Sequence, residues 1–304
     1  WYAWSLFVCK GIIIVSCLSL VMRGRNDNYG STNYIERTNF CLSIHIENFL
    51  SLGLKPEEVE IVFVDWGSDK PIISLIDCKK EKFIRYIIVP KNITEISDPP
   101  ETGFDFIKSV NVGIYRANGK FIMHIDPDVF IDTKSFQKLW KYINKSDAIN
   151  YQHYFTKFIL IYENCNRLMS NVDFSKKDYS EKIESVNSTV LIKPAIESSE
   201  LFNGGSNAVM CSKDAWFKVG GYDERFVYWG AQDVDLFTRL SNAGYSGKDL
   251  YQSNGIKLVH MEHTHKLCDK TNNPGLSHRK ALNGIKPNGQ NWGLSNLKFQ
   301  EVVI

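Results

Sequence analysis

The chain has 304 residues, of which 43% are hydrophobic and 23% are charged, an ordinary globular composition with room for one large domain or two small ones. Its 36 basic and 34 acidic residues leave a net charge of +2, so no overall positive field points to a nucleic-acid partner. The seven cysteines are scattered and include no C-x-x-C pair, which argues against a zinc site or a disulfide framework.

The N-terminal segment is apolar and ambiguous. Residues 1–22 are long enough to suggest a membrane span, yet Lys10 lies in the middle, where a charge would be costly. We favour an apolar lead-in over residues 1–16 followed by a first buried strand, with a membrane-proximal segment as the alternative. The compartment stays open between the cytoplasm and a membrane-associated setting, which would be the Golgi lumen in a eukaryotic secretory chain.

The first half alternates strand and helix patterns. Apolar runs with β-branched members predict strands, and amphipathic periodicity predicts helices. The predicted strands lie at residues 17–22, 60–64, 83–89 and 121–125, and the helices at residues 34–52 and 105–117. This alternation predicts an α/β fold with right-handed crossovers and a mostly parallel central sheet flanked by helices. In such sheets ligands bind outside the carboxyl ends of the strands.

The second half is weakly patterned until residue 203. A strand is then predicted at residues 208–211, a helix at 213–219, a further helix at 229–240 and a late strand at 256–259. The segment after residue 265 is rich in Asn, Lys and Gly, so we expect residues 266–304 to form a surface tail.

The strand at residues 121–125 leads into Asp126-Pro127-Asp128. Pro127 disfavours a helical conformation at Asp126, and in an extended segment the two carboxylates would face the same way. Two like charges about 4 Å apart repel by roughly 4 kcal/mol at an effective dielectric of 20, a penalty that a divalent cation removes. The motif therefore predicts a metal site able to hold a diphosphate, with a polar strand end as the alternative.

Further motifs occur in a characteristic order around this pair. They are Val64-Asp65-Trp-Gly-Ser68, Asn111-Val-Gly-Ile-Tyr-Arg-Ala117, Gly220-Gly-Tyr-Asp-Glu224 and Trp229-Gly-Ala-Gln-Asp-Val-Asp-Leu236, followed by a late strand that ends in histidine. Together they resemble an inverting nucleotide-sugar glycosyltransferase of the GT-A fold, family-2-like in its first half. The block from residue 206 to 240 is similar to the one shared by β-1,4-galactosyltransferases and chondroitin-type polymerases.

The resemblance implies a domain division and a metal centre. Residues 17–265 would form a single Rossmann-like GT-A catalytic domain, with residues 17–128 binding the nucleotide-sugar and residues 129–265 binding the acceptor. Asp126 and Asp128 would bind Mn²⁺ or Mg²⁺, and Asp126 would also contact the donor. We expect His260 to supply the third ligand, with His263 and His265 as competitors, because imidazole with carboxylate and phosphate oxygens suits Mn²⁺.

The same resemblance assigns the nucleotide subsite. Asp65 would accept hydrogen bonds from the uracil or ribose, although it could instead cap the next helix. Arg25 and Asp27 would lie beside the base and ribose, although Arg25 could equally be a surface ion pair. Arg116 would approach the diphosphate, or it is a helix-end arginine favoured by the helix dipole.

Inversion needs one general base, and the resemblance places it at Asp233. Asp233 falls in the first turn of its helix, where exposed N–H groups favour a carboxylate; a plain helix-terminal acid is the alternative. Asp235 lies four residues before Arg239, so we expect an exposed ion pair of small energetic weight.

The acceptor site is assigned to Gly204, Gly205, Trp229 and Gln232. The glycines allow close backbone approach, and Trp229 offers an aromatic face to a sugar or packs in the core. Gln232 stands where the family usually has glutamate, so it loses a charge-assisted bond to acceptor hydroxyls.

These assignments predict transfer of a hexose such as galactose or GalNAc from a UDP-sugar to a glycan hydroxyl, with inversion. The expected partners are a nucleotide-sugar and a carbohydrate. Three alternatives remain: a retaining transferase of the polypeptide-GalNAc type, a nucleotidyltransferase on the same sheet, and a non-catalytic carbohydrate-binding module, which Gln232 alone favours.

Overall fold

The structure is a computed structural model that describes residues 17–27, 33–77, 82–100, 103–144, 153–156, 160–162, 169, 172, 181, 193–194, 208–226, 232–250, 254–261 and 287–304. Five residues with assigned roles lie outside this part of the chain, as does the apolar lead-in over residues 1–16. They are Gly204, Gly205, Trp229, His263 and His265.

The described chain alternates strands and helices in its first half. The strands are β1 (Leu18–Gly24), β2 (Val59–Trp66), β3 (Ile84–Val89), β4 (Phe121–Ile125), β5 (Val129–Ile131), β6 (His153–Thr156), β7 (Leu160–Tyr162), β8 (Lys193–Pro194), β9 (Ala208–Ser212), β10 (Ser246–Asp249), β11 (Leu258–Met261) and β12 (Gln300–Val303). The α-helices are α1 (Tyr34–Ser51), α2 (Lys91–Ser97), α3 (Phe106–Arg116), α4 (Thr133–Ile143), α5 (Lys213–Val219) and α6 (Gln232–Asn242). Short 3₁₀ helices occupy Ile72–Ser74 and Trp292–Leu294.

The described strands form a large sheet in the order β10-β6-β9-β4-β1-β2-β3-β12. Its centre is parallel, since β1 pairs in parallel with β2 and β4, and β2 with β3. β9 joins β4 and β6 in antiparallel orientation, and β12 joins β3 in the same way. The predicted α/β fold, with a mostly parallel central sheet flanked by helices, is confirmed.

Alternation along the central strands places a core on each face of this sheet. Ile61 and Phe63 of β2 face the core packed beneath α1 and α4, whereas Val62 and Val64 face the core packed beneath α3, α5 and α6. Three of these helices begin at capping side chains, which accept hydrogen bonds from backbone N–H groups of the first turn. The caps are Asp105 for α3, Asp132 for α4 and Ser212 for α5.

A small second sheet, in the order β5-β11-β7-β8, carries part of the site. β5 follows the Asp-Pro-Asp motif and pairs antiparallel with β11, so that His260 lies opposite Val129. On its other side β5 is held by α1, because His45 Nε2 lies 3.1 Å from the Val129 carbonyl and Asn48 donates to the Ile131 carbonyl at 2.8 Å.

Residues 287–304 differ from the expected surface tail. β12 extends the main sheet beside β3, and Trp292 is buried in edge-to-face contact with Tyr115 and Phe217. The sequence signal was missed because polar residues surround this one buried tryptophan. Among the described residues, no helix is long and apolar enough to cross a membrane.

Candidate active site

Parallel pairing places the carboxyl ends of β1, β2, β3 and β4 along one edge of the sheet. The polar segments that follow β1, β2 and β4 therefore meet there, as the sequence predicted. Arg25 and Asp27 follow β1, Asp65 closes β2, and Asp126 and Asp128 follow β4.

A cleft of about 350 Å³ opens beside the ends of β1 and β2, a volume within the usual range for small-ligand sites. Its lining includes Arg25, Asp27, Asp69, Lys91 and Asp98. The Arg25 guanidinium donates to Asp27 and, at 2.7 Å, to Asp98 Oδ2. The cleft thus presents a cation held by two carboxylates, next to an exposed Lys91–Asp69 pair at 2.6 Å.

Two features shape the floor of this cleft. Asp98 Oδ1 accepts from Trp66 Nε1 at 2.7 Å and from the Asp105 backbone at 2.8 Å, which ties β2 to the start of α3. Gly67 has a φ of +73°, and a Cβ there would lie 2.2 Å from Thr94 Oγ1. Only glycine fits this close approach without displacing Thr94.

Asp65 lies beneath the cleft and does not line it among the described residues. It is 1% exposed, and its Oδ2 accepts from the Ile72 backbone at 2.8 Å, at the start of the first 3₁₀ helix. This contact matches the alternative role of Asp65, that of an acid that caps the next helix. Burial raises the pKa of Asp65. Its Oδ1 is buried with no hydrogen-bond partner among the described residues.

Asp126 is held by a buried arginine. Arg23 Nη1 donates to Asp126 Oδ1 at 2.7 Å, and its guanidinium carbon lies 3.4 Å from the ring centre of Phe106. Burial raises the pKa of the Asp126 carboxyl, while the charge of Arg23 opposes the rise and that of Asp128 adds to it. The two carboxylates therefore lie close enough to influence each other.

The backbone conformation of the motif differs from the extended one that we expected. Val129 N–H donates to the Asp126 carbonyl at 3.0 Å, which closes a tight turn with Pro127 in its second position. Proline suits that position because its φ is preset. The turn sends Asp126 towards Arg23 and Asp128 towards β11.

Asp128 and His260 face each other across this turn. His260 Nε2 lies 3.5 Å from Asp128 Oδ1, and Arg37 Nε lies 3.9 Å from Asp128 Oδ2. Burial alone would lower the pKa of His260, but the charges of Asp128 and Asp126 raise it above its ordinary value. The late strand therefore brings its histidine to the motif.

The side chains at this turn suit a divalent cation only in part. Among the described residues, no three His, Cys, Asp or Glu side chains already form a group able to hold a metal ion. The reason is geometric: Asp126 is engaged by Arg23, which leaves Asp128 and His260 as a facing pair. A carboxylate and an imidazole fit Mn²⁺ as a partial set that needs oxygen ligands from a diphosphate.

Asp233 and Gln232 open α6 beside the same region. Gln232 is 6% exposed, and Asp233 is half-buried. The negative charge of Asp233 adds to burial in raising the pKa of Tyr222. The Tyr222 hydroxyl in turn lies 2.9 Å from Nδ1 of His124 in β4. His124 is a buried, hydrogen-bonded residue.

Asp235 makes the predicted pair with Arg239, at 2.8 Å. The pair is buried, not exposed, since the two side chains are 7% and 2% exposed. Arg239 also donates to the carbonyls of Val219 and Gly221, both at 2.9 Å. The pair therefore anchors α6 to the end of α5.

Arg116 is not at the site. It ends α3 at the opposite edge of the sheet, and its guanidinium donates to the carbonyls of Gly293, Leu294 and Leu297 at 2.7–2.9 Å. The prediction of a diphosphate contact is wrong because α3 runs antiparallel to the strands, which carries its last residue away from their carboxyl ends.

Sequence reasoning missed four residues that build the site, namely Arg23, Arg37, Asp98 and Tyr222. A usable signal existed for Arg23, because a charged residue at the end of an otherwise apolar strand must find a partner when it is buried. Asp98 and Arg37 carried no such signal, since each lies in a polar or amphipathic stretch.

Comparison with known proteins gives one extensive match. The family model described as "Glycosyltransferase like family 2" matches residues 33–251. No curated protein matches the chain. The family match covers more than half of the chain and includes the Asp-Pro-Asp motif, α6 and the part of the cleft lining that follows β2, but it begins after Arg25 and Asp27.

Solved structures show weaker similarity. The catalytic domain of Drosophila β1,4-galactosyltransferase 7, in complex with xylobiose, is 11% identical with a TM-score of 0.45 over 94% of this chain and 86% of that one. A 1–349 fragment of S. aureus TarS with UDP is 11% identical with a TM-score of 0.48, over 81% of this chain and 60% of that one. GalNAc-T7 with UDP, GalNAc and Mn²⁺ is 11% identical with a TM-score of 0.47, over 82% of this chain and 44% of that one.

Proposed function

The chain belongs to the glycosyltransferase-like family 2, and we propose that it transfers a sugar from a UDP-sugar to a glycan hydroxyl with inversion of the anomeric centre. The observation that carries the proposal is the meeting of three groups at one sheet edge: the cleft at Arg25, the facing Asp128–His260 pair, and the α6 terminus bearing Asp233. These provide for a nucleotide, a diphosphate and an acceptor in that spatial order.

The donor would be held from the cleft to the turn. Arg25 and Asp27 would contact the base and ribose, and the buried Asp65 would hold the segment after β2 in place through its hydrogen bond from the Ile72 backbone. Asp128 and His260 would hold Mn²⁺ or Mg²⁺ together with the diphosphate, with Asp126 close by. The cation supplies charge neutralisation of the leaving diphosphate.

Asp233 would act as the general base, accepting the acceptor hydroxyl proton as that oxygen attacks the anomeric carbon. Its place in the first turn of α6 supports the ionised form, because unpaired backbone N–H groups there favour a carboxylate. Gln232 beside it would donate or accept hydrogen bonds with acceptor hydroxyls. Gly204 and Gly205 would allow the backbone to approach the acceptor closely, and Trp229 would offer its aromatic face to a sugar.

Replacing Asp233 with Asn tests the base assignment. Asp233→Asn should reduce transfer by at least about a hundredfold, because loss of a positioned base commonly costs 10²–10⁴ in rate. UDP affinity in the presence of Mn²⁺ should stay within about twofold, since the amide keeps the size of the side chain. Parallel loss of UDP binding would contradict the assignment.

A thermal-shift screen of UDP-, GDP- and dTDP-sugars with and without Mn²⁺ tests the donor class. We expect a metal-dependent stabilisation by a UDP-sugar alone. NMR of the product anomer separates inversion from retention, and pyrophosphate release from a nucleoside triphosphate would instead identify a nucleotidyltransferase.

A further inference from the structure

We propose that Tyr222 and His124 are positioning residues that form a buried relay of hydrogen bonds between the Arg23–Asp126 pair and the helix that carries Asp233. The inference rests on the proposed function, because Asp126 and Asp233 are its donor-side carboxylate and its base. The relay would hold these two carboxylates in a fixed relation across β4 and α6.

The direction of the first hydrogen bond fixes the imidazole tautomer. Arg23 Nη1 lies 3.1 Å from His124 Nε2 and 2.7 Å from Asp126 Oδ1. Arginine has no acceptor, so His124 Nε2 must accept and the ring proton must sit on Nδ1. Nδ1 lies 2.9 Å from the Tyr222 hydroxyl and therefore donates to it.

The Tyr222 hydroxyl then keeps its own hydrogen for another acceptor. The segment that carries Tyr222 is joined to α6 by geometry, because Arg239 of α6 donates to the carbonyl of the neighbouring Gly221 at 2.9 Å. Tyr222 also shares one core with Leu236 and Phe237 of α6. The relay thus runs from Arg23 through the imidazole and the phenol to the segment on which α6 is anchored.

Tyr222 is held in a fixed position by its packing and its hydrogen bonds. Its ring is 1% exposed and meets His124 edge to face at 5.5 Å. Asn111 accepts from the Tyr222 backbone N–H at 2.9 Å and donates to its carbonyl at 2.8 Å, and Asn288 donates to the same carbonyl. A residue held at its backbone and its hydroxyl can transmit position between the elements that it joins.

The imidazole tautomer can be measured without any substrate. Long-range ¹H–¹⁵N NMR of the ¹⁵N-histidine protein should show His124 as the neutral Nδ1–H tautomer, assigned by loss of its signals in His124→Gln. Tyr222→Phe should shift the Nδ1 resonance. An Nε2–H tautomer, or an unchanged Nδ1 resonance in Tyr222→Phe, would overturn the relay.

Kinetics separate positioning from mere packing. Tyr222→Phe should lower kcat for UDP release about five- to tenfold, the usual effect of one lost hydrogen bond, with the affinity for UDP and Mn²⁺ within about twofold. The assay uses the UDP-sugar that gives the largest Mn²⁺-dependent thermal shift. Tyr86→Phe is the matched control, because it removes a buried phenol hydroxyl on the other face of the sheet and should leave kcat unchanged.

The histidine gives a rescue pair. His124→Leu removes both the acceptor and the donor, whereas His124→Gln keeps one of each, so Gln should recover most of the kcat that Leu loses. Equal losses in Gln and Leu, or a wild-type kcat in Tyr222→Phe, would overturn the proposal. If the wild-type protein binds no UDP, the proposed function fails, and the NMR measurement still decides whether the relay exists.

Discussion

Buried charge partners organise the candidate site at the scale of single residues. Arg23 holds Asp126, His260 faces Asp128, and Arg239 satisfies Asp235. A buried ion pair is costly to break, because removal of one partner leaves an uncompensated charge in a poorly solvated place. These contacts therefore fix where the remaining polar atoms of the site point.

The buried Asp235–Arg239 pair gives a stability prediction. Arg239→Met should lower the free energy of unfolding by about 3–5 kcal/mol, since it leaves a buried carboxylate without its charged partner and removes the hydrogen bonds from Arg239 Nη1 to the carbonyls of Val219 and Gly221. Urea unfolding followed by circular dichroism measures the loss. Lys91→Met is the control, because Lys91 pairs with Asp69 at 2.6 Å on the surface and its loss should leave stability near the wild-type value. A similar effect of both substitutions would contradict the anchoring role of Arg239.

The sequence indicated which side chains meet at the candidate site better than it indicated the contacts that those side chains make. The carboxylates at positions 126 and 128 and the histidine at 260 were recognisable because apolar strands lead directly into them. Arg37 was not recognisable as a partner of Asp128, because it reaches this carboxylate from a distant part of the chain. Long-range pairing depends on the packed fold, and no local pattern records it.

Element boundaries followed the apolar patterns closely. Observed α1 and α3 lie within one residue of the predicted helices, and α5 and β4 match their predicted bounds. The β5 strand was missed because it has three residues and follows directly on a tight turn. β12 was missed because its residues are largely exposed, which removes the apolar signal.

The packing of α1 against β5 makes stability depend on pH. Burial lowers the pKa of His45 to about 4. Between that value and the unfolded value of about 6.5, the unfolded chain binds a proton that the folded one does not. The contribution of the neutral His45 to the free energy of unfolding is therefore complete above about pH 6.5. It decreases as the pH drops towards 4, by at most about 1.4 kcal/mol per pH unit.

His45→Gln isolates this contribution. The amide can still donate to the Val129 carbonyl, but it does not titrate. The difference in unfolding free energy between wild type and variant should shift in favour of the variant as the pH falls from 6.5 to 4. A difference that stays constant over this range, measured by urea unfolding, would show that His45 is not buried in its neutral form.

At the scale of the whole molecule, the two edges of the main sheet have separate roles. The carboxyl edge carries the candidate site, whereas the opposite edge holds a structural network. There Arg85 pairs with Glu60 and Glu301 and donates to the Arg116 carbonyl, which joins β2, β3, β12 and the end of α3. The sequence indicated the polar groups at the first edge, because they directly follow the apolar strands. It did not indicate the ion-pair network at the second edge.

Arg116 distinguishes the two edges experimentally. Arg116→Met should lower the free energy of unfolding by about 1–3 kcal/mol, because carbonyls of residues 293–297 lose their charged donor, while UDP affinity stays unchanged. Arg25→Met should show the reverse, with weaker UDP binding and a smaller loss of stability. Urea unfolding and calorimetric titration with UDP measure both quantities. If Arg116→Met weakened UDP binding but kept wild-type stability, the result would support a contact between Arg116 and the diphosphate and contradict a purely structural role.

Under the proposed function, Asp128 and His260 would hold a metal and a nucleotide diphosphate, and Asp233 would accept the proton of the acceptor hydroxyl. Calorimetric titration of UDP, with and without Mn²⁺, tests it in the wild type, Asp128→Asn and Asp233→Asn. We predict Mn²⁺-dependent UDP binding in the wild type and in Asp233→Asn, and at least about tenfold weaker binding in Asp128→Asn. Mutation of a residue that only hydrogen-bonds to a metal ligand already lowers metal affinity about 10–100-fold, so loss of a ligand should cost at least as much. UDP binding that ignores Mn²⁺, or that is equal in Asp128→Asn and the wild type, would contradict the claim.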